Sequence, residues 1–189
     1  MGAFTDFQTA IYKMLEAIPG ENINRPGLSS TPEKVAKFFL NEAIHGYTQN
    51  VNNIISHAIY DSDNNDMLVM SEIPFYSMCE HHLIPFFGTV DIGYVPRDGK
   101  ILDNSKFGRI VDVYSKRLQT QESMTTQIAD SLYGSILLPS SVVVRTTANN
   151  LCVAMRGSKK QNTTMITQKF NGKIKDNVLL KQEWNSLIK

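Results

Sequence analysis

Four consecutive residues, Cys79-Glu80-His81-His82, constrain this chain more than any other stretch. They stand between Pro74 and Pro85. Met67 to Ile73 reads as a strand leading into them, and Phe86 to Val95 as a strand leading out, with Val90, Ile92 and Tyr94 on one face. A thiol and two imidazoles are therefore delivered to one strand connection. Cys79 and His82 are close enough in sequence to reach a single ion from a tight turn or a helical first turn. Thiolate and neutral imidazole are preferred donors for tetrahedral zinc. Two donors do not hold zinc, and the only other cysteine is Cys152. If it folds back, three protein ligands leave the fourth position to water, which marks a catalytic zinc site rather than a structural one. His81 then sits beside the metal as a proton carrier. Two buried thiols, or one disulfide, are the rival readings of the same cysteines.

The length, 189 residues, suits one domain with a real core. Hydrophobic residues make up 42% and charged residues 20%, a globular balance. A formal net charge of +1 predicts no general attraction to nucleic acid or to a membrane surface, so any basic site is local. No apolar run reaches the length of a membrane span, and residues 1–10 lack the pattern of a signal peptide. A cytoplasmic location is expected, where cysteines stay reduced or bind metal.

Phe4, Phe7, Ile11, Met14, Leu15 and Ile18 recur at helical spacing until Pro19-Gly20. Thr31 is expected to cap a second helix with Pro32 at its first position and Val35, Phe38 and Phe39 on its apolar face. Lys34 and Lys37 lie on the other side. Residues 50–60 read as a short helix followed by a strand, and the polar run 61–66 as a surface connection. Ile101-Leu102 is a brief return strand. Ser105 is expected to cap a helix to about Leu118, and a second central helix runs from Glu122 to about Ile136 with Met124, Ile128 and Leu132 inward. A strand opens at Val142, Ala148-Asn149-Asn150 reads as a turn, and Leu151 to Met155 as a strand returning with Cys152. Thr163 to Phe170 is a last strand, and 178–188 a modest final helix. Strands, two central helices, then strands point to an α+β fold with an antiparallel sheet. One domain is expected over 1–189, with a helical region at 1–48 and the core at 49–189.

Ser105, Lys106 and Arg109 crowd the start of the first central helix, where free N–H groups favour an anion. Arg156-Gly157-Ser158-Lys159-Lys160 adds a second basic segment just after Cys152. A polyphosphate is the natural guest, although each cluster alone is also what solvated surface looks like. Glu122, preceded by Gln121, is the carboxylate best placed to accept two N–H bonds from the N1 and 2-amino edge of guanine; an acid stabilising its helix N-terminus is the equal alternative.

Together these residues resemble the GTP cyclohydrolase I family. The resemblance is carried by Ser77-Met78-Cys79-Glu80-His81-His82-Leu83-Ile84-Pro85-Phe86-Phe87-Gly88, by Ser105-Lys106 with Arg109-Ile110-Val111, and by Lys116-Arg117-Leu118-Gln119 with Gln121-Glu122. Cys152 with Met155-Arg156-Gly157, and Thr31-Pro32 with Val35-Ala36-Lys37, extend it from about Phe4 to Ile188. The resemblance implies the tunnelling fold, an antiparallel four-stranded sheet with two helices on one face, here preceded by N-terminal helices. It implies Zn2+ on Cys79, His82 and Cys152, and catalytic roles for His81, Ser105 and Glu122. It implies guanine recognition by Gln121 and Glu122, triphosphate and ribose contacts from Ser105, Lys106, Arg109 and Arg156, and basic contacts from Lys34 and Lys37 to a neighbouring subunit's site. The implied activity opens the imidazole ring of GTP at C8, releases formate and yields 7,8-dihydroneopterin triphosphate. The implied partner is a further copy of the chain, in rings stacked as a decamer.

Two positions depart from the family pattern. A second catalytic histidine belongs two residues before the last cysteine, and this chain has Asn150 there. Asparagine forms hydrogen bonds but does not exchange a proton near neutrality. Asp103-Asn104 replaces a small, apolar pair before Ser105. Two alternatives to the full reaction follow: ring opening that stops at, or diverts from, a formamidopyrimidine nucleotide, and a non-catalytic nucleotide-binding homologue.

Overall fold

The computed structural model describes residues 2–156 and 159–188. Gly157 and Ser158, within the second basic segment, lie outside the described residues. The chain divides into two compact units between His45 and Gly46.

In the first unit, α1 (Ala3–Glu16) and α2 (Thr31–Phe38) are followed by a π-turn, Phe39–Ala43. Phe7 meets Phe39 with ring centroids 5.6 Å apart, and Leu15 and Ala36 are buried. Ser30, not Thr31, occupies the cap position of α2, and Pro32 sits in its first turn, where no N–H is needed. Lys34 is exposed, and Lys37 Nζ lies 2.5 Å from Glu33 Oε1.

The second unit starts with α3 (Val51–Ser56) and β1 (Ile59–Asp61). Two long strands follow, β2 (Leu68–Cys79) and β3 (Pro85–Val95), then β4 (Lys100–Leu102) and α4 (Ser105–Ser115). The chain continues through β5 (Leu118–Gln119), α5 (Gln121–Tyr133), β6 (Ser141–Asn150), a single helical turn α6 (Leu151–Ala154), β7 (Thr164–Gly172) and α7 (Val178–Leu187). The main sheet has the order β5-β2-β3-β6-β7. β2, β3, β6 and β7 are antiparallel neighbours, and β5 adds a two-residue parallel pairing beside Met78 and Cys79. The α+β class and the four-stranded antiparallel core are those expected.

Period-two alternation decides which side chains meet the helices. Ile73, Phe75 and Cys79 of β2, Phe86, Val90, Ile92 and Tyr94 of β3, and Val142, Val144 and Ala148 of β6 share one buried face. Phe107, Ile110 and Val111 of α4 and Met124, Ile128 and Leu132 of α5 cover it. Burying each large aliphatic side chain contributes roughly 1.5–3 kcal/mol. The opposite face carries Val143, against which Trp184 of α7 packs, fully buried. Gly93 makes that approach feasible, since a Cβ there would come within 2.7 Å of the indole ring.

Several local expectations are corrected. Ala148, Asn149 and Asn150 are not a turn: they pair with Gly88, Phe87 and Phe86. Residues after Asn150 form a helical turn rather than a strand, which reverses the chain at Cys152. The brief strand expected at Ile101-Leu102 is present and pairs with β1. Ser105 is the first residue of α4 and not its cap; Asp103 Oδ1 accepts the Ser105 N–H at 2.8 Å instead. No helix among the described residues is long and apolar enough to cross a membrane.

Candidate metal centre and adjoining cavity

The helix-covered face ends where β2, β3 and β6 terminate together. Met78 pairs with Pro85, and Phe86 with Asn150, so Cys79 and Asn150 arrive at the same end of the sheet. Cys79 N donates to Ile84 O at 3.0 Å, and Leu83 takes φ 53° to close the reversal that carries both imidazoles. α6 then returns Cys152 to this end. Cys79, His82 and Cys152 present one donor atom each, all within 4.8 Å of one another. Cys79 Sγ lies 3.8 Å from His82 Nδ1. Donors on adjacent corners of a zinc tetrahedron are about 3.6–3.8 Å apart, so the Cys79–His82 spacing suits such an ion, and two thiols with one imidazole are a donor set whose chemistry fits it.

His81 Nδ1 also lies 3.7 Å from Cys79 Sγ, and its Nε2 is 3.8 Å from Glu80 Oε1. It remains outside the three-donor group among the described residues. His82 Nε2 points away from Cys79 and meets Arg156 Nη1. Burial, and after it the neighbouring Cys79 thiol, push the Cys152 thiol above its ordinary range.

Beside these donors opens a cavity of about 420 Å³, lined among others by Cys79, His81, Gln121, Glu122, Asn150 and Cys152. That volume suits a small organic ligand. α5 begins at its edge, with Thr120 Oγ1 accepting the Ser123 N–H at 3.2 Å as N-cap. Glu122 is exposed on this first turn, whereas Gln121 is 3% exposed. Gln121 Nε2 donates to Thr146 O and Met165 O, both at 3.0 Å. Thr125 Oγ1 joins Gln121 O at 2.7 Å, Thr146 Oγ1 at 2.8 Å and Thr167 Oγ1 at 2.7 Å.

Ser105, Lys106 and Arg109 lie elsewhere. Leu102, just before them, donates its N–H to Tyr94 Oη, and about 27 Å of strand separates Tyr94 from Phe86 at the cavity end. Arg109 lines a separate hollow with Gln49, Asn53 and Asp112. One chain thus gathers Cys79, His81, His82, Gln121, Glu122, Cys152 and Arg156 at one end of the sheet, and Ser105, Lys106 and Arg109 toward the other.

The profile of the GTP cyclohydrolase I family matches residues 7–189. The chain belongs to the GTP cyclohydrolase I family. It is 41% identical over 170 residues to GTP cyclohydrolase 1 1 of Pseudomonas putida, covering 90% of this chain and 88% of that one. It is 42% identical over 181 residues to GTP cyclohydrolase 1 of Streptococcus agalactiae serotype V, covering 96% and 95%. The crystal structure of the archaeosine synthase QueF-Like in the apo form is similar at a TM-score of 0.46 and 16% identity, over 58% of this chain and 97% of that one. In this chain, sequence reasoning missed the threonines behind Gln121. Gln121 and Thr125 share a helix face by their spacing, but nothing local points to Thr146 or Thr167.

Proposed function

We propose that the protein is a zinc-dependent GTP cyclohydrolase, which hydrolyses GTP at C8, opens the imidazole ring and releases formate to give 7,8-dihydroneopterin triphosphate. The observation that carries this reading is the Cys79–His82–Cys152 donor group at the edge of a cavity that also holds His81 and Glu122. Zinc bound there supplies Lewis acidity and a water of lowered pKa. Glu122 accepts the N1–H and 2-amino hydrogens of guanine and so turns the imidazole side of the base toward the cysteines. Gln121, locked by backbone carbonyls, holds the start of α5 that presents Glu122. His81 delivers a proton to N7 as oxygen adds at C8, and later exchanges protons with the departing nitrogen.

Ser105, Lys106 and Arg109 of a neighbouring copy bind the triphosphate and ribose, with Arg156 beside the metal and Lys34 and Lys37 as further cations. The assignment of Ser105, Lys106 and Arg109 to a neighbouring copy is supported by their distance from the cavity within one chain. It is also supported by two open strand edges: β7 is outermost, and β2 meets β5 only at Met78 and Cys79. The working form is accordingly a ring-stacked homo-oligomer, the family's decamer. The free thiols at Cys79 and Cys152 suit a reducing, cytoplasmic setting.

A second reading is favoured by Asn150, which lines the cavity without a titrating group. Ring opening then proceeds, but the product accumulates as a formamidopyrimidine nucleotide. Zinc-loaded protein incubated with GTP, with products resolved by mass and formate assayed, decides between them. Dihydroneopterin triphosphate with one formate per GTP is the expected outcome; a ring-opened nucleotide retaining the formyl carbon establishes the second reading. His82→Ala loses both zinc and GTP consumption. Unchanged GTP in the presence of stoichiometric zinc overturns both.

A further inference from the structure

The orientation of one buried amide fixes that of the next. Three acceptors surround Gln121 Nε2: Thr146 O and Met165 O at 3.0 Å, and Thr167 Oγ1 at 3.3 Å. That end of the side chain must carry the hydrogens. Gln121 Oε1 therefore faces the other way, where it needs a donor, and Asn150 Nδ2 stands 3.3 Å from it. Asn150 in turn commits its NH2 to Gln121. Its Oδ1, which accepts a hydrogen bond from none of the described residues, is left for the cavity it lines with Cys79 and Cys152.

We propose that Asn150 Oδ1 accepts a hydrogen bond that the substrate can offer only after water has added at C8. This rests on the reading of the site as a GTP cyclohydrolase. Guanine's own donors, N1–H and the 2-amino group, belong to the edge assigned to Glu122. Its imidazole side offers N7 as an acceptor and C8–H, and neither suits a carbonyl oxygen. When water adds, its oxygen bonds to C8, the C8=N7 double bond becomes single, and N7 takes up a proton. The adduct then carries an N7–H and a C8 hydroxyl on the side of the base that faces Asn150. The contact is absent in the bound substrate and present along the path to the adduct, so it raises kcat without lowering KM.

The test uses zinc-loaded full-length protein and follows GTP consumption for the wild type, Asn150→Ala and Asn150→His. Asn150→Ala is expected to lower kcat about tenfold with KM unchanged. Asn150→His, whose ring can donate to Gln121 Oε1 and turn its other nitrogen to the cavity, restores kcat at the same KM. Zinc content and melting temperature are measured on the same samples. A raised KM with kcat intact overturns the proposal in favour of a contact to the bound substrate, such as a ribose hydroxyl. A kcat loss that tracks lost zinc or a lowered melting temperature overturns it in favour of a scaffold role. Asn150→Ala turning over like the wild type overturns it alone, whereas a wild type that consumes no GTP overturns the hydrolytic reading as well.

Discussion

Asp103 places a carboxylate where an anion from outside is expected to bind. Its Oδ1 accepts the Ser105 N–H at 2.8 Å, and its Oδ2 lies 4.0 Å from Lys106 Nζ. The Ser105 backbone N–H first, then the Ser105 hydroxyl and the charges of Lys106 and Arg109, hold this carboxyl below its usual range. If the triphosphate binds at the first turn of α4 as proposed, Asp103 is an internal competitor for it. Asp103→Ala should lower the KM for GTP about two- to fivefold while leaving kcat alone, since a charge at a helix N-terminus acts over a short range and is screened by salt. The gain should fade as salt is raised in the same assay. A KM that rises instead would show that the carboxylate organises the turn more than it blocks it. Single residues differ sharply in how legible they are. Cys79, His82 and Cys152 stand out because thiols are scarce in this chain and imidazoles rarely cluster. Asn150 shows its departure from the family pattern but not its role, because its partner Gln121 comes from another element.

The elements around the cavity are coupled through that same glutamine. Gln121 is the first residue of α5, yet its amide hydrogens satisfy a carbonyl on β6 and another on β7. Gln121→Glu puts a buried carboxylate against those two carbonyls and removes their donor. It should destabilise the fold by at least about 2 kcal/mol, read as a lower urea midpoint at unchanged slope. An unaltered midpoint would mean that α5 docks on the sheet through Met124, Ile128 and Leu132 alone. The inward stripes of α4 and α5 are legible from periodicity, because one face of each must be apolar. The end of β6 is not: Ala148-Asn149-Asn150 has turn composition, and only pairing with Phe86, Phe87 and Gly88 holds it extended. The next residues are apolar enough for a strand, but the chain must reverse there to bring Cys152 to Cys79, and a helical turn does so. α7 is legible as a helix, while its place on the other sheet face depends on Trp184 lying over Gly93, a contact between distant residues.

At the scale of the molecule, one chain separates the parts that its proposed reaction needs together. The metal donors, His81 and Glu122 lie at one end of the sheet, and the first turn of α4 toward the other, with about 27 Å of strand between Tyr94 and Phe86. A closed ring of copies can join them, because a heterologous interface sets one end of a subunit against the opposite end of the next. The edges of β7 and β2 offer backbone groups for such a joint. If the site is shared in this way, defects on its two sides complement each other. On the proposed reading Lys106→Ala removes a triphosphate contact and His82→Ala a metal ligand, so each variant alone should be nearly inactive. Subunits of the two, co-expressed with different tags and isolated as mixed oligomers, should regain activity. Random assembly in equal amounts leaves about one quarter of the sites with both sides intact, which sets the level to expect relative to the wild type. A site built within one chain predicts no recovery at any mixing ratio, because every subunit then carries one of the two lesions in its own cavity.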